Sequence, residues 1–292
     1  MNSNNIAVVG SGPAGISAAI QLKRYGLSPD LYEENRVGGL LWNANLVENY
    51  PGFPEGISGP ELIGLMERQL NRFSVDIRNL KILKITLVDG RFALHTEQEI
   101  NNYDYVIVAT GTKPMDVKKI QELAPSKHVH HDISDILHEN GKKIVIVGNG
   151  DAAFDQAINL ARSNEVLLVN RSKYIKCLAL LSDIAFKTPT IKYLDNTEIK
   201  KFKLIEGNGV NACYLKVDLK TDMGFSSIDC DELVFAVGRE PNLDFLHVEI
   251  DTGRLFFAGD VHNGRYRQTS IAVGEGVMAA MKIYDLIITG DK

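Results

Sequence analysis

Short, almost wholly apolar runs that end at glycine recur along the chain, and each leads into a stretch with helical periodicity. The first run is IAVV at 6–9, and a second, IVIV, occupies 144–147. A strand buried on both faces of a parallel sheet has this composition, because none of its positions faces water. The segments that follow, ISAAIQLKRYG at 16–26 and FDQAINLARS at 154–163, are typical of helices, and Gly26 is a suitable C-cap. The pattern predicts two strand–turn–helix units in an α/β chain.

Both turns carry the spacing G-x-G-x-x-G/A that is typical of dinucleotide-binding sites. In the first copy, Gly10 permits a tight turn, Gly12 lets the backbone approach a pyrophosphate, and Gly15 lets helix and strand pack closely. The helix N-terminus adds unpaired N–H groups and the positive end of a dipole. A single motif of this kind also fits a glycine-rich turn without a ligand. The second copy repeats the arrangement with Gly148, Gly150 and Ala153.

The residues that follow the next strand differ between the two copies. After the first copy, SPDLYEEN places Glu33 eighteen residues beyond Gly15, where a carboxylate binds ribose hydroxyls in such folds. After the second copy, EVLLVNRSKYIK ends in a cationic cluster, which fits a ribose 2′-phosphate better than a free 2′-hydroxyl, although a solvated strand end has the same composition. We therefore favour NADP(H) over NAD(H). The residues predicted to bind this nucleotide are Gly148, Asn149, Gly150, Asp151, Ala152, Asn170, Arg171, Ser172 and Lys176.

Composition narrows the classes of function. The length of 292 residues fits two domains of ordinary size, and the net charge of −5 gives no nucleic-acid footprint. No apolar run approaches the roughly 20 residues that span a bilayer, and the N-terminus has no signal-like segment. A soluble, cytoplasmic protein is expected. The three cysteines, Cys177, Cys213 and Cys230, form no C-x-x-C pair, which argues against a disulfide scaffold, a zinc ribbon or a built-in dithiol.

Five longer motifs resemble the low-molecular-weight thioredoxin reductase family, in the family's order and over nearly the whole chain. They are GSGPAG (10–15), GGLLWNANLVENYPGFPEG (38–56), YDYVIVATGTKP (103–114), AVGREPN (236–242) and FFAGDVHNGRYRQTSIAVGEG (256–276). The resemblance implies an α/β fold with two Rossmann-like three-layer nucleotide-binding domains, the second inserted into the first. It implies an FAD-binding domain of 1–112 and 240–292, and an NAD(P)-binding domain of 113–239.

The same resemblance, carried over position by position, implies which residues contact FAD. The expected contacts are Gly10, Ser11, Gly12, Pro13, Ala14, Gly15, Glu33, Gly39, Leu40, Asn49, Ile82, Thr110, Gly111, Gly259, Asp260, Arg267, Gln268 and Thr269. A helix that begins near Thr269 would direct its N-terminus at the flavin N1–C2=O edge. Reduction puts negative charge there, so unpaired N–H groups and the helix dipole would stabilise the reduced flavin.

One segment, HVHHDISDIL at 128–137, departs from the family. Counted back from Gly148 without a gap, it falls on the family's redox motif C-x-x-C-D. His131 and Ser134 occupy the two cysteine positions, and Asp135 occupies the aspartate position. Thiol–disulfide exchange requires an attacking sulfur, which neither imidazole nor hydroxyl can replace. The family's relay of two electrons through an internal disulfide therefore cannot take place at this segment.

Three interpretations of the segment remain open. His131 or Asp135 would act as a proton donor near the flavin, since imidazole titrates near neutral pH. His128, His130 and His131 would bind a metal, although metal-ligand spacing is absent and we predict no metal site. The third interpretation is a polar connecting segment without a chemical role. The catalytic residue stays unassigned, with His131 and Asp135 as the candidates.

The predicted activity is hydride transfer between NAD(P)H and FAD, with electrons passing directly between the flavin and an external partner. By analogy with ferredoxin–NADP reductases of this superfamily that lack C-x-x-C, ferredoxin or flavodoxin is the preferred partner. The flavin would supply the redox chemistry. An NAD(P)H oxidase, a reductase of a small-molecule substrate and a non-enzymatic flavin redox sensor are the alternatives. The resemblance also implies a homodimer.

Overall fold

The computed structural model describes residues 5–115, 127–206, 213–248 and 253–290. The chain divides into two compact units, of which the first comprises Met1–Trp42, Leu46–Lys113 and Glu240–Lys292. The second comprises Asn43–Asn45 and Pro114–Arg239. Each unit contains a five-stranded parallel sheet, which confirms the predicted α/β fold. Which cofactor belongs to which unit stays a prediction.

The first unit is built on a parallel sheet whose central strand is also the first in the chain. Its spatial order is β18 (Leu255–Phe257), β7 (Tyr105–Val108), β1 (Ile6–Val9), β2 (Pro29–Tyr32) and β3 (Asp76–Arg78). All four residues of β1 and of β7 are buried, as expected of strands that are covered on both faces. The later strands β2 and β7 lie on opposite sides of β1, so the strand order reverses at β1. Ligands bind at the carboxyl end of the strands at such a point.

Among the described residues of this unit, three α-helices are present: α1 (Pro13–Arg24), α2 (Gly59–Arg72) and α5 (Thr269–Thr289). A capping box starts α2, because Ser58 Oγ accepts from the Glu61 N–H while the Glu61 carboxylate accepts from the Ser58 N–H. Tyr25 of α1 stacks on Tyr284 of α5 at 4.1 Å. At the other end of α1, a Cβ on Gly276 would lie 2.1 Å from the Ala14 carbonyl oxygen. The two helices therefore run parallel to each other, and both N-termini lie at the same side of the first unit.

The first unit also contains an antiparallel sheet and most of a 3₁₀ helix. The sheet consists of β4 (Lys84–Val88), β5 (Arg91–His95) and β6 (Ile100–Tyr103), and the 3₁₀ helix is Gly39–Asn43. Short strands β8 (Thr112–Pro114) and β17 (Arg239–Pro241) lie where the chain crosses between the units.

A buried polar network joins the parallel and antiparallel sheets of the first unit. The Tyr103 hydroxyl donates to the Asp30 carboxylate at 2.6 Å and lies 2.6 Å from the Tyr32 hydroxyl. Arg78 Nε lies 3.1 Å from the same carboxylate. Burial raises the pKa of Tyr103, and the hydrogen bond to Asp30 raises it further, so the phenol stays protonated. The network fixes the end of β6 against β2.

We expect Tyr103→Phe to lower the free energy of unfolding by about 1–3 kcal/mol, because it removes the donor to a partly buried carboxylate. Urea-induced unfolding measures the effect. Tyr174→Phe is the matched control, since the Tyr174 side chain is 80% exposed. Equal stability of the two variants would contradict a structural role for the network.

The second unit contains the second glycine turn and its own parallel sheet. The order is β12 (Ile191–Leu194), β11 (Glu165–Val169), β10 (Lys143–Val147), β16 (Glu232–Phe235) and β9 (Val129–His130). Helices α3 (Asp151–Leu160) and α4 (Ala179–Lys187) accompany this sheet. The unit also contains an antiparallel sheet of β13 (Glu198–Glu206), β14 (Cys213–Thr221) and β15 (Gly224–Cys230). None of the helices in the described ranges has the length and apolar composition needed to cross a membrane.

Candidate functional site

The first glycine turn has two crowded positions and one open position. A Cβ on Gly15 would lie 1.8 Å from the Gly10 carbonyl oxygen, and one on Gly10 would lie 2.5 Å from the Ala109 carbonyl oxygen. A Cβ on Gly12 would meet no atom within 4 Å. Gly12 is the N-cap of α1, and no side chain caps the helix there. The turn therefore leaves free N–H groups beside open space, which is what a pyrophosphate requires, and the residues fit FAD.

The predicted FAD residues that follow the parallel strands meet at one edge of the sheet. Glu33 follows β2, and its carboxylate accepts from the Ser11 N–H at 3.0 Å and from Ser11 Oγ at 2.6 Å. Thr110 follows β7, and its hydroxyl donates to the Asn242 carbonyl at 2.7 Å. Gly111, Gly259 and Asp260 follow β7 and β18 at the same edge.

The loop that contains Gly39 and Leu40 lies against the first glycine turn. The Gly38 N–H donates to the Ser11 carbonyl at 2.8 Å, and a Cβ on Gly39 would lie 3.4 Å from Gly12 Cα. Leu40 is partly buried in the 3₁₀ helix. Ile82 is different, because its side chain is buried in the core of the unit and offers only backbone to a ligand.

The N-terminus of α5 is the second free helix end in the first unit. Its N-cap, Gln268, makes no capping bond with its side chain, and the first turn contains no acidic residue. Gln268 Oε1 instead accepts from Asn49 Nδ2 at 2.6 Å, which brings two predicted FAD residues together. Arg267 and Thr269 flank Gln268 and are partly buried. Because α1 and α5 run in the same direction, their positive ends lie at one side of the unit.

The second glycine turn repeats the geometry of the first. A Cβ on Gly148 would lie 2.6 Å from the Ala236 carbonyl oxygen and 2.7 Å from Ala153 Cβ. Gly150 is open, with no atom within 4 Å of a Cβ built there, and it is an N-cap of α3 without a side-chain cap. The turn fits a nucleotide pyrophosphate for the same reason as the first.

Asn170, which is predicted as a nucleotide ligand, forms hydrogen bonds that organise the loop after β11. It is 1% exposed. Its Nδ2 donates to the Tyr174 carbonyl at 3.1 Å and to the Tyr193 hydroxyl at 2.9 Å, and its Oδ1 accepts from the Ser172 N–H at 3.0 Å. These bonds occupy its amide, so it shapes the loop on which Arg171 is exposed.

Asn149 and Asp151 also form bonds to the segment that follows β11. Asn149 Nδ2 donates to the Tyr174 carbonyl at 3.1 Å, and the Asn149 carbonyl accepts from the Lys176 N–H at 2.8 Å. Asp151 Oδ1 accepts from the Leu178 N–H at 2.8 Å. Lys176 and Ala152 are exposed. The structure thus brings the predicted nucleotide residues to one edge, where Arg171 and Lys176 are both exposed.

Two histidines of the 128–137 segment bind a carboxylate that the sequence analysis did not single out. His128 Nδ1 lies 3.0 Å from Glu232 Oε1, and His130 Nε2 lies 2.7 Å from Glu232 Oε2. A carboxylate only accepts, so each ring donates. Glu232 is 6% exposed. Burial acts to raise its pKa, but the hydrogen bonds from His130 and His128 outweigh burial, and the pKa of Glu232 is lowered.

The turn at 131–135 is held by residues distant in sequence. Asn43, which belongs to the second unit, accepts on Oδ1 from the N–H groups of Ile133 and Ser134 at 3.0 and 3.1 Å. Its Nδ2 donates to Asp132 at 3.2 Å, and Arg239 donates to the same oxygen at 3.0 Å. These contacts fix the backbone at the position that the resemblance assigns to the family's dithiol.

The two catalytic candidates differ in their surroundings. His131 is partly buried beside the Phe235 ring, and burial lowers its pKa, so the imidazole is neutral at physiological pH. Asp135 is exposed, and Ser134 Oγ donates to it at 3.3 Å. In the part of the chain that the structure describes, no group of three or more His, Cys, Asp or Glu side chains is arranged to hold a metal ion.

All three cysteines are free thiols in the second unit. Cys230 is 3% exposed, and burial raises its pKa to about 12. Burial also raises the pKa of Cys177. Both shifts oppose formation of the thiolate that disulfide exchange needs. No sulfur pair replaces the missing C-x-x-C.

We expect Glu232→Gln to lower the free energy of unfolding by about 1–3 kcal/mol at neutral pH, because it removes the charge that two histidines bind. A lowered carboxylate pKa stabilises the fold above the ordinary glutamate range and loses its effect as pH falls through the folded-state pKa. The difference between wild type and variant should therefore narrow in acid. Chemical unfolding from pH 7 to pH 3 measures it, with exposed Glu165→Gln as control. If the difference in unfolding free energy between wild type and Glu232→Gln does not change with pH, the role of the Glu232 charge is contradicted.

The fold and sequence match known proteins along nearly their whole length. The family described as pyridine nucleotide-disulphide oxidoreductase matches residues 4–276. Thioredoxin reductase from Chlamydia trachomatis is 30% identical, with 96% of this chain and 97% of that protein covered. Thioredoxin reductase 1 from Saccharomyces cerevisiae is 29% identical, with the same shares covered. The structure of thioredoxin reductase from T. acidophilum has a TM-score of 0.83 at 25% identity and covers 97% of this chain and 98% of that one. That from Lactococcus lactis has a TM-score of 0.85 at 24% identity, covering 98% and 99%.

Proposed function

The chain belongs to the pyridine nucleotide-disulphide oxidoreductase family, in its thioredoxin reductase-like branch, and from this membership we propose an FAD-dependent NAD(P)H oxidoreductase without an internal dithiol. Electrons would pass directly between the flavin and an external partner. The family prediction made from the motifs is confirmed.

One observation carries the proposal: the position of the family's redox dithiol contains no sulfur. His131 and Ser134 stand there, and the backbone between them is held by Asn43. The three cysteines elsewhere are free, and they are unpaired in sequence. Because disulfide exchange proceeds through sulfur alone, the flavin has no internal acceptor for its electrons. The partner must therefore meet the flavin itself.

The first unit supplies binding and electrostatics for FAD. When bound, FAD accepts or donates a hydride at its isoalloxazine ring. The open turn at Gly12 would receive the pyrophosphate, and Glu33 would exchange its bonds with Ser11 for bonds to the ribose hydroxyls. The free N-terminus of α5 would stabilise negative charge on the reduced ring. These roles need no catalytic side chain, and none is assigned.

The second unit would bind NADP(H) in preference to NAD(H). Arg171 and Lys176 are exposed at the carboxyl edge of its sheet, beside the open turn at Gly150. The residue at the position of Glu33 is Asn170, which has no charge to repel a phosphate and whose amide is occupied by the loop. A 2′-phosphate at the strand end would therefore meet the exposed cations Arg171 and Lys176.

We propose ferredoxin or flavodoxin as the partner, because either accepts electrons without a disulfide. The curated relatives are named thioredoxin reductases. Thioredoxin itself would require a sulfur relay that this chain lacks. A homodimer is proposed from the same family likeness and is tested by light scattering.

Reduction assays with three acceptors test the partner. NADPH should be oxidised rapidly with ferredoxin or flavodoxin, and not with thioredoxin. Slow oxidation that no carrier stimulates would contradict the proposal and favour an oxidase or a small-molecule reductase. Rapid reduction of thioredoxin would contradict the loss of the relay.

A further inference from the structure

The turn after β18 is fixed by two side chains that no glycine motif predicts. Gly259 has φ of +81°, and a Cβ there would lie 3.0 Å from Ala14 Cβ, so the turn is pressed against the start of α1. The Gly259 N–H donates to Glu275 Oε2 at 2.7 Å. The Gly259 carbonyl accepts from Asn263 Nδ2 at 3.1 Å. Both backbone polar groups of this glycine are thus bonded to side chains.

The same two side chains bond to each other, which closes the network. Asn263 Nδ2 donates to Glu275 Oε2 at 2.7 Å, so one carboxylate oxygen accepts from both the backbone and the amide. Glu275 Oε1 lies 3.8 Å from His262 Nε2. The Glu275 side chain is only 17% exposed. A carboxylate this far from water is tolerated only where donors surround it, as they do here.

The position of this network connects it to the flavin site. Glu275 lies in the second turn of α5, whose free N-terminus carries Gln268 and Thr269. Gly259 precedes Asp260, which is expected to contact FAD. The carboxylate therefore ties the end of β18 to the helix that would meet the isoalloxazine ring. Loss of the carboxylate would leave the Gly259 N–H without its acceptor and free the turn to move.

We propose that Glu275 is a positioning residue for FAD: together with Asn263 it holds the Gly259 turn in the conformation that presents Asp260 to the cofactor. The proposal rests on the assignment of FAD to the first unit. Glu275 acts through the turn and does not itself contact the cofactor.

Reconstitution of the apoprotein with FAD tests the proposal, with the dissociation constant read from flavin fluorescence. Glu275→Ala removes the shared acceptor and should weaken FAD binding on the order of tenfold. Glu275→Gln keeps an acceptor oxygen at the same place and should stay within about threefold of wild type. Asp285→Ala is the matched control, because it removes an exposed acidic side chain from the same helix.

Two further measurements separate positioning from general stability. The absorption band of bound flavin should shift in Glu275→Ala and not in Asp285→Ala, since a displaced turn alters the flavin surroundings. If Glu275→Ala does not fold, Asn263→Ala provides the test, because it removes two of the three bonds. FAD affinity unchanged in the alanine variants, or lost equally in Glu275→Gln, would overturn the proposal. A wild-type protein that binds no FAD would instead contradict the proposed function.

Discussion

We expect a Gly12→Val protein to fold but to bind FAD much more weakly, whereas we expect a Gly15→Ala protein to have an unstable first unit. The two glycines are three residues apart, yet their surroundings are opposite. A Cβ on Gly12 meets no protein atom within 4 Å, and its backbone, with φ of −71° and ψ of −178°, suits valine. Valine would occupy the space that the pyrophosphate needs. FAD affinity should fall by at least about tenfold, which is about 1.4 kcal/mol, while stability changes little.

At Gly15 the added methyl group would overlap backbone atoms, which cannot change rotamer as a side chain can. Its Cβ would lie 1.8 Å from the Gly10 carbonyl oxygen, so α1 must move from the sheet. Overpacking of this kind costs about 1–3 kcal/mol, or more where no side chain can relax. Gly64→Ala is the control, since that helical position in α2 has open space. Thermal unfolding and flavin retention measure both effects; similar behaviour of Gly12→Val and Gly15→Ala would contradict the separate roles.

We expect the double variant Arg171→Ala/Lys176→Ala to lose the proposed preference for NADPH. Each cation would make one charge-assisted bond to the 2′-phosphate, and together they would contribute about 3 kcal/mol of binding free energy. The KM for NADPH should therefore rise on the order of 100-fold. The KM for NADH should change little, because NADH has no phosphate there. Steady-state kinetics with both nucleotides and one carrier measures the ratio.

Lys173→Ala is the matched control for this double variant. Lys173 is exposed on the same loop but is not among the predicted nucleotide residues. Its removal tests whether loss of any nearby positive charge has the same effect. If Lys173→Ala raises the KM for NADPH as much as the double variant does, a specific phosphate site is contradicted. An equal rise in both KM values for the double variant would indicate that the loop has collapsed.

Local patterns were sufficient to predict the α/β class and the two glycine turns. The runs IAVV and IVIV are central strands of two parallel sheets, and the glycines after them are crowded or open as the motif's physics requires. Such features depend on neighbours within about 20 residues, so the sequence displays them directly. Glu33 belongs to the same category, because it follows the next strand and lies against Ser11.

Residues brought together from distant parts of the chain were not predicted. Glu232 binds His130 across 102 residues, and Asn43 holds Ser134 across 91. Glu275 and Gly259 are only 16 residues apart, yet no motif connects them. A polar residue in a helix or at a strand start has no local pattern that reveals its partner. Asn170 shows the converse, since it follows a strand at the expected place but is buried by a loop whose course the motif does not specify.

For the 128–137 segment, its position relative to Gly148 was more informative about function than the types of residue it contains. Its histidines suggested a metal or a proton donor, and the structure shows two of them bonded to Glu232. The third, His131, stands where the resemblance places a cysteine. The absence of sulfur at this position is the observation on which the proposed function depends.

Anaerobic titration of the flavin with NADPH tests that claim most directly. Without an internal dithiol, each FAD should be fully reduced by one equivalent of hydride donor, with two electrons stored for each flavin. The flavin band should bleach in a single phase, and free thiols counted after reduction should equal those counted before. An end point at four electrons for each flavin, with two new thiols, would show a hidden disulfide and contradict the account.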